Sequence, residues 1–138
     1  MTTDDKPFTV IDETGEKTGV SGLPLVPAIR IPAGADLIYV SGVLGGPKNP
    51  DDPTDLRSEM HRLFANLEHV LALSGATIAD VINVGKFLVD VDRDNEIVVE
   101  VMREYFKRMP TSTTVEVSRL VPPNLRVEVS AIAAVRPA

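Results

Sequence analysis

The chain has 138 residues, 43% of them apolar and 25% charged, with 14 basic against 20 acidic side chains, a net charge of −6 and no cysteine. This suits one soluble domain that buries roughly two-thirds of its unfolded surface, and it excludes disulfides, thiolate catalysis and cysteine-based zinc sites. No apolar run approaches the roughly 20 residues needed to span a bilayer. The polar, acidic start Met1-Thr-Thr-Asp-Asp-Lys6 lacks the basic and apolar regions of a signal peptide, so a cytoplasmic protein is expected. Nucleic-acid binding is disfavoured, because lysines and arginines are scattered singly and there is no tryptophan for base stacking.

In chain order, residues 1–7 are expected to be flexible. Phe8 to Asp12 reads as a first short strand and Ala28 to Ile31 as a second. Leu37 to Ser41 is β-rich and apolar on both faces, as in a central strand. Gly42 to Pro53 is a long glycine- and proline-rich loop, of the mobile kind that flanks sites. From Asp55 to Leu73, Leu56, Met60, Leu63, Leu67 and Val70 trace one helical stripe. Thr54 or Asp55 can cap its start, and Gly75 can end it. A turn at Thr77 to Asp80 leads into a core strand, Val81 to Val89. A second helix is expected from about Asp94 to Arg108, capped by Asp92 or Asp94 and stopped by Pro110. Thr113 to Arg119 and Leu125 to Ala133 alternate with a period of two, and Val121-Pro-Pro-Asn124 is read as turning them into a hairpin.

The expected fold class is α+β, in the order β-β-β-α-β-α-β-β. Two helices cover one sheet face. The other, carrying Thr114, Glu116, Glu128 and Ser130, needs a partner, and symmetry copies are the natural one.

Six ordered pieces resemble the RidA-like (YjgF/YER057c/UK114) family. They are Leu37-Ile-Tyr-Val-Ser-Gly42, Ala65-Asn-Leu-Glu-His-Val-Leu-Ala-Leu-Ser-Gly-Ala76, Ile78-Ala-Asp-Val-Ile-Asn-Val-Gly-Lys-Phe-Leu-Val-Asp90, Pro110, Thr114-Val-Glu-Val117 and Val127-Glu-Val-Ser-Ala-Ile-Ala133. The resemblance covers about residues 24 to 135. It implies a chorismate-mutase-like mixed sheet backed by two helices, a homotrimer that packs its sheets into a barrel, and small-molecule clefts between subunits. It also implies deamination of reactive enamines or imines, with an arginine two residues after the helix-ending proline holding the substrate carboxylate. A glutamate on the last strand places water. No cofactor and no metal are implied.

Carried over position by position, the resemblance puts Ser112 where that arginine is expected and Glu128 at the glutamate. A serine offers one neutral donor in place of a charged fork. Val43 stands where a glutamine is common, Leu25 where a tyrosine is, and Val26 where a serine is. The asparagine expected on the second helix falls near Val98, with Asn95 as the other stand-in. The candidate site is therefore Glu128 as the catalytic carboxylate, with Ser112, Thr113, Thr114, Val43, Leu25 and Tyr39 as substrate contacts.

Glu128 also reads as an ion-pair member at a subunit seam, and the three hydroxyl residues as ordinary strand formers. Lys86, inside an apolar strand, is expected to pair with Glu116 or Glu128 rather than act as a catalytic amine. His61 and His69, eight apart on one helix, do not make a zinc pair and read as structural. Three functions remain open: a deaminase or related hydrolase, a non-catalytic metabolite-binding trimer, and an endoribonuclease or translation inhibitor. The acidic charge counts against the last.

Overall fold

The computed structural model describes residues 6–138. The expectation of flexibility at residues 1–5 lies outside the described residues. Strands β1 (Thr9–Ile11) and β2 (Ala28–Arg30) pair with each other as a small antiparallel sheet, apart from the main one. The main sheet holds β3 (Asp36–Val43), β4 (Val81–Leu88), β5 (Thr111–Glu116) and β6 (Val127–Val135) in the order β3-β6-β4-β5. Strand β6 runs antiparallel to both of its neighbours, and β5 runs parallel to β4 at the edge.

This order corrects the expected hairpin. Strands β5 and β6 do not pair, because β4 lies between them. The 117–126 segment carries the chain past β4 instead of turning tightly. Parallel β4 and β5 need a crossover, and helix α2 (Val91–Tyr105) provides it.

Helix α1 (Leu56–Leu73) begins as expected, with Asp55 accepting from Ser58 N, and Gly75 follows its end at φ 75°. Leu56, Met60, Leu63 and Leu67 of its expected stripe are buried in the core together with Phe64 and Leu71, while Val70 at the stripe's edge is only partly buried. Helix α2 starts three residues earlier than expected. Asp90, not Asp92 or Asp94, is the cap and accepts from Arg93 N, which frees Asp94 to be buried. It also ends at Tyr105 rather than Arg108. Both helices pack on one sheet face, where Val40, Val84, Leu88, Val127, Val129, Ala131 and Ala133 meet them.

The start of β6 is held by two buried carboxylates that sequence periodicity did not single out. Glu59, 2% exposed, accepts from Arg126 N at 2.8 Å and Val127 N at 3.0 Å. Asp94, fully buried, is gripped by Arg93 at 2.8 and 2.9 Å and by the Arg126 guanidinium. Both lie within the apolar stripes of their helices, and a charge at a stripe position was the available signal.

The loop after β3 is tied to α1 rather than standing free. Arg62 Nε donates to the Gly45 carbonyl at 2.8 Å, and Asn66 Nδ2 to the Leu44 carbonyl at 2.7 Å. A side chain at Gly45 would overlap the Glu59 carbonyl, so the loop reaches α1 only through glycine.

Candidate functional site

Register decides which side chains share a face. Residues paired across strands point the same way. On β4, Val84, Lys86 and Leu88 are buried toward the helices, so their β5 partners Ser112, Thr114 and Glu116 lie on that side too. Glu116 confirms it by accepting from Val91 N, at the start of α2, at 3.0 Å. The opposite, open face carries Asn83, Gly85 and Phe87 of β4, Thr111, Thr113 and Val115 of β5, and Glu128 and Ser130 of β6.

This reverses the expected face of β5. Its threonine and glutamate at 114 and 116 lie on the helix side, and Thr113 and Val115 on the open side. An edge strand is solvated on both faces, so its alternation alone does not say which is inward.

The candidates therefore separate into groups. Glu128 lies on the open face, half-buried, its carboxylate folded against Gly42, where a side chain would overlap it. Among the described residues it has no hydrogen-bond or ion-pair partner. Thr113 and Tyr39 share that face, and Tyr39 is 74% exposed. Ser112 and Thr114 lie on the helix side, and the Ser112 hydroxyl is buried without a hydrogen bond. Leu25 stands beside them in chain position, since Val26 N donates to the Pro110 carbonyl at 3.2 Å, next to the first residue of β5. Val43 points elsewhere: it pairs with Val129 and is buried in the core.

The expected ion pair of Lys86 is not formed. Glu128 is on the other sheet face, and Glu116 is spent on the α2 backbone. Lys86 is 2% exposed, and burial with no opposing charge lowers its pKa. His61 contacts the Tyr105 hydroxyl at 2.7 Å and Glu104 at 3.6 Å on the helix surface, which agrees with its structural reading. A cavity of about 540 Å³ lined by Lys6, Ile78, Ala79, Tyr105 and Phe106 contains none of the candidates. No helix among the described residues is long and apolar enough to cross a membrane.

Chemically, the open face offers an unpaired carboxylate beside apolar surface and hydroxyls. Such a group can take a proton from water or bind a cationic nitrogen.

The Endoribonuclease L-PSP family model matches residues 23–135. The chain is 30% identical over 118 residues to the 2-iminobutanoate/2-iminopropanoate deaminase of Dermatophagoides farinae, covering 83% of this chain and 91% of that protein. Among solved structures it is similar to YyfB of the Rid family from Yersinia pestis, with a TM-score of 0.79 at 20% identity over 94% of this chain and 99% of that one. It is also similar to Escherichia coli TdcF with bound serine, with a TM-score of 0.64 at 26% identity over 78% and 85% of the two chains.

Proposed function

The chain belongs to the Endoribonuclease L-PSP family, the RidA-like proteins, and on that premise we propose that it is a homo-oligomer hydrolysing small 2-imino acids. The observation that carries this reading is Glu128, a carboxylate without a partner among the described residues, on the sheet face opposite both helices. The deaminase name of the mite relative and the serine held by TdcF support a small amino-acid-like ligand.

In the proposed step Glu128 takes a proton from water as the oxygen attacks the imine carbon. Glu128 passes that proton to the nitrogen to give a carbinolamine. The carbinolamine hydroxyl then gives up its own proton to the same nitrogen as the C=O forms and the C–N bond breaks, releasing a 2-keto acid and ammonia. Within one chain Glu128 and Ser112 face opposite ways, so a ligand touching both needs a neighbouring subunit. That supports clefts between copies over a site inside one copy.

The test uses 2-iminopropanoate generated from alanine by an amino-acid oxidase, with semicarbazide competing for the imine. The wild type is expected to speed pyruvate formation, and Glu128→Gln to lose roughly 10²- to 10⁴-fold of that effect. No acceleration at high protein concentration overturns deamination. Ligand binding without turnover would then leave the non-catalytic reading, which the neutral Ser112 favours. A net charge of −6 weighs against an endoribonuclease.

A further inference from the structure

Three polar side chains between α2 and strands β4 and β5 have no partner among the described residues. Lys86 is 2% exposed and, among the described residues, makes no hydrogen bond or ion pair. Ser112 Oγ and Asn95 Oδ1 are buried and likewise unsatisfied. Lone buried polar groups are rare in folded proteins, and each calls for an explanation.

The three belong to one seam. Lys86 pairs in register with Thr114, and Ser112 with Val84, so Lys86 and Ser112 are diagonal neighbours on the same face. Helix α2 runs back over these strands from its start beside Glu116. Asn95 lies about 6 Å along the helix from Val91, and Lys86 about 6.6 Å along the strand from Leu88, so both sit at one height. Glu100 and Glu104, which reach Arg57 and His61, mark the flank of α2 that faces α1. Asn95 is roughly 140° around the helix from Glu100, on the flank toward edge strand β5.

What the seam lacks is negative charge. Glu116 is committed to Val91 N, Asp94 to Arg93 and Arg126, and Glu59 to the backbone of Arg126 and Val127. A lysine side chain this buried is costly without a counter-ion. The acids held on this side of the sheet, Glu116, Asp94 and Glu59, are all engaged elsewhere, while Glu128 lies on the opposite face. A hydroxyl donor stands beside it, and a flip of the Asn95 amide would turn its NH₂ inward as a third donor.

We propose that Lys86, Ser112 and Asn95 anchor the carboxylate of a small organic acid that enters between α2 and the β5 edge. The proposal deepens the reading above, for which it names the group that holds the substrate carboxylate. It moves the cationic contact from β5 to the neighbouring strand.

Propionate and pyruvate are titrated into the full-length protein by calorimetry, with inorganic phosphate and chloride as the competing anion classes. Carboxylates are expected to bind, and Lys86→Met to weaken them roughly thirtyfold or more, with Ser112→Ala giving a smaller loss. Preference for phosphate, or equal affinity in Lys86→Met, overturns the carboxylate anchor. Lys86→Met removes a buried unpaired charge, so it should melt at or above the wild-type temperature. Should that variant fail to fold, the Lys86 side-chain resonances of the wild type serve instead: no shift on adding propionate overturns the proposal. The two readings fail separately. Turnover that survives Lys86→Met removes the anchor alone, and Lys86-dependent propionate binding without any imine turnover removes deamination alone.

Discussion

Two glycines a few residues apart carry opposite consequences at the residue scale. A side chain at Gly45 would overlap the backbone carbonyl of Glu59, which cannot turn aside without breaking α1. Gly45→Ala should cost about 3 kcal/mol, at the upper end for overpacking. With a urea slope of about 1.5 kcal/mol/M the midpoint would fall by about 2 M. At Gly42 the obstacle is the flexible carboxylate end of Glu128. Gly42→Ala should leave stability within about 0.5 kcal/mol while displacing that carboxylate, so imine turnover falls and the melting curve does not. Unchanged turnover in Gly42→Ala would mean that the resting place of Glu128 is irrelevant to function. The pair also separates a glycine that the fold requires from one that the proposed site requires.

At the scale of elements, β6 is central because it pairs on both sides, and its first residues are held by Glu59 and Asp94 from the two helices. Burial pushes the Asp94 carboxyl up, but hydrogen bonds and charge from Arg93 and Arg126 outweigh it and leave the pKa below the ordinary value. A depressed pKa means stabilisation that is full above about pH 5 and lost as pH falls through the folded value. Asp94→Asn should lose about 2 kcal/mol at pH 7, with a flatter loss of stability below pH 5, measured by urea unfolding across pH. Glu59 runs the other way: burial raises its pKa over the opposing backbone hydrogen bonds, so its contribution is present at low pH and lost as pH rises. The difference between wild type and Asp94→Asn isolates the Asp94 limb. These acids show why some of the fold was legible and some was not. The stripe of α1 and the alternation of β6 are local patterns: α1 formed where periodicity put it, and β6 kept the expected inward residues while running two residues later, Val127–Val135 instead of 125–133. Strand partnership is not local: alternation in 113–119 and 125–133 fits a hairpin as well as two strands separated by β4. The same gap hid the site. Glu128 was placed correctly by its neighbours Val127 and Val129, but the faces of Ser112, Thr114 and Lys86 depended on which strand lay beside them.

For the whole molecule, the decisive feature is the uncovered sheet face. Both helices lie on the other side, and Leu37, Tyr39 and Val115 remain 46%, 74% and 42% exposed. Phe87 and Val115 lie beside Glu128, and Tyr39 and Leu37 continue the apolar surface along the far end of the same face, the kind of patch that marks an interface. If copies of the chain pack there about a three-fold axis, the wild type should sediment at about 45 kDa, three times the 14.9 kDa chain. Tyr39→Asp combined with Val115→Asp places two charges in that apolar surface and should shift the protein toward about 15 kDa. Leu73→Asp, at the end of α1 and 75% exposed, is the control and should not change the mass. A wild type that sediments as a monomer at micromolar concentration overturns the oligomer. The same variants bear on the chemistry, because Glu128 and the Lys86–Ser112 seam face opposite sides of one sheet. A ligand that meets both must be shared between copies, so the monomeric variant should keep Lys86-dependent propionate binding and lose imine turnover. Turnover that survives in a folded monomer would place the whole reaction on one face of one chain.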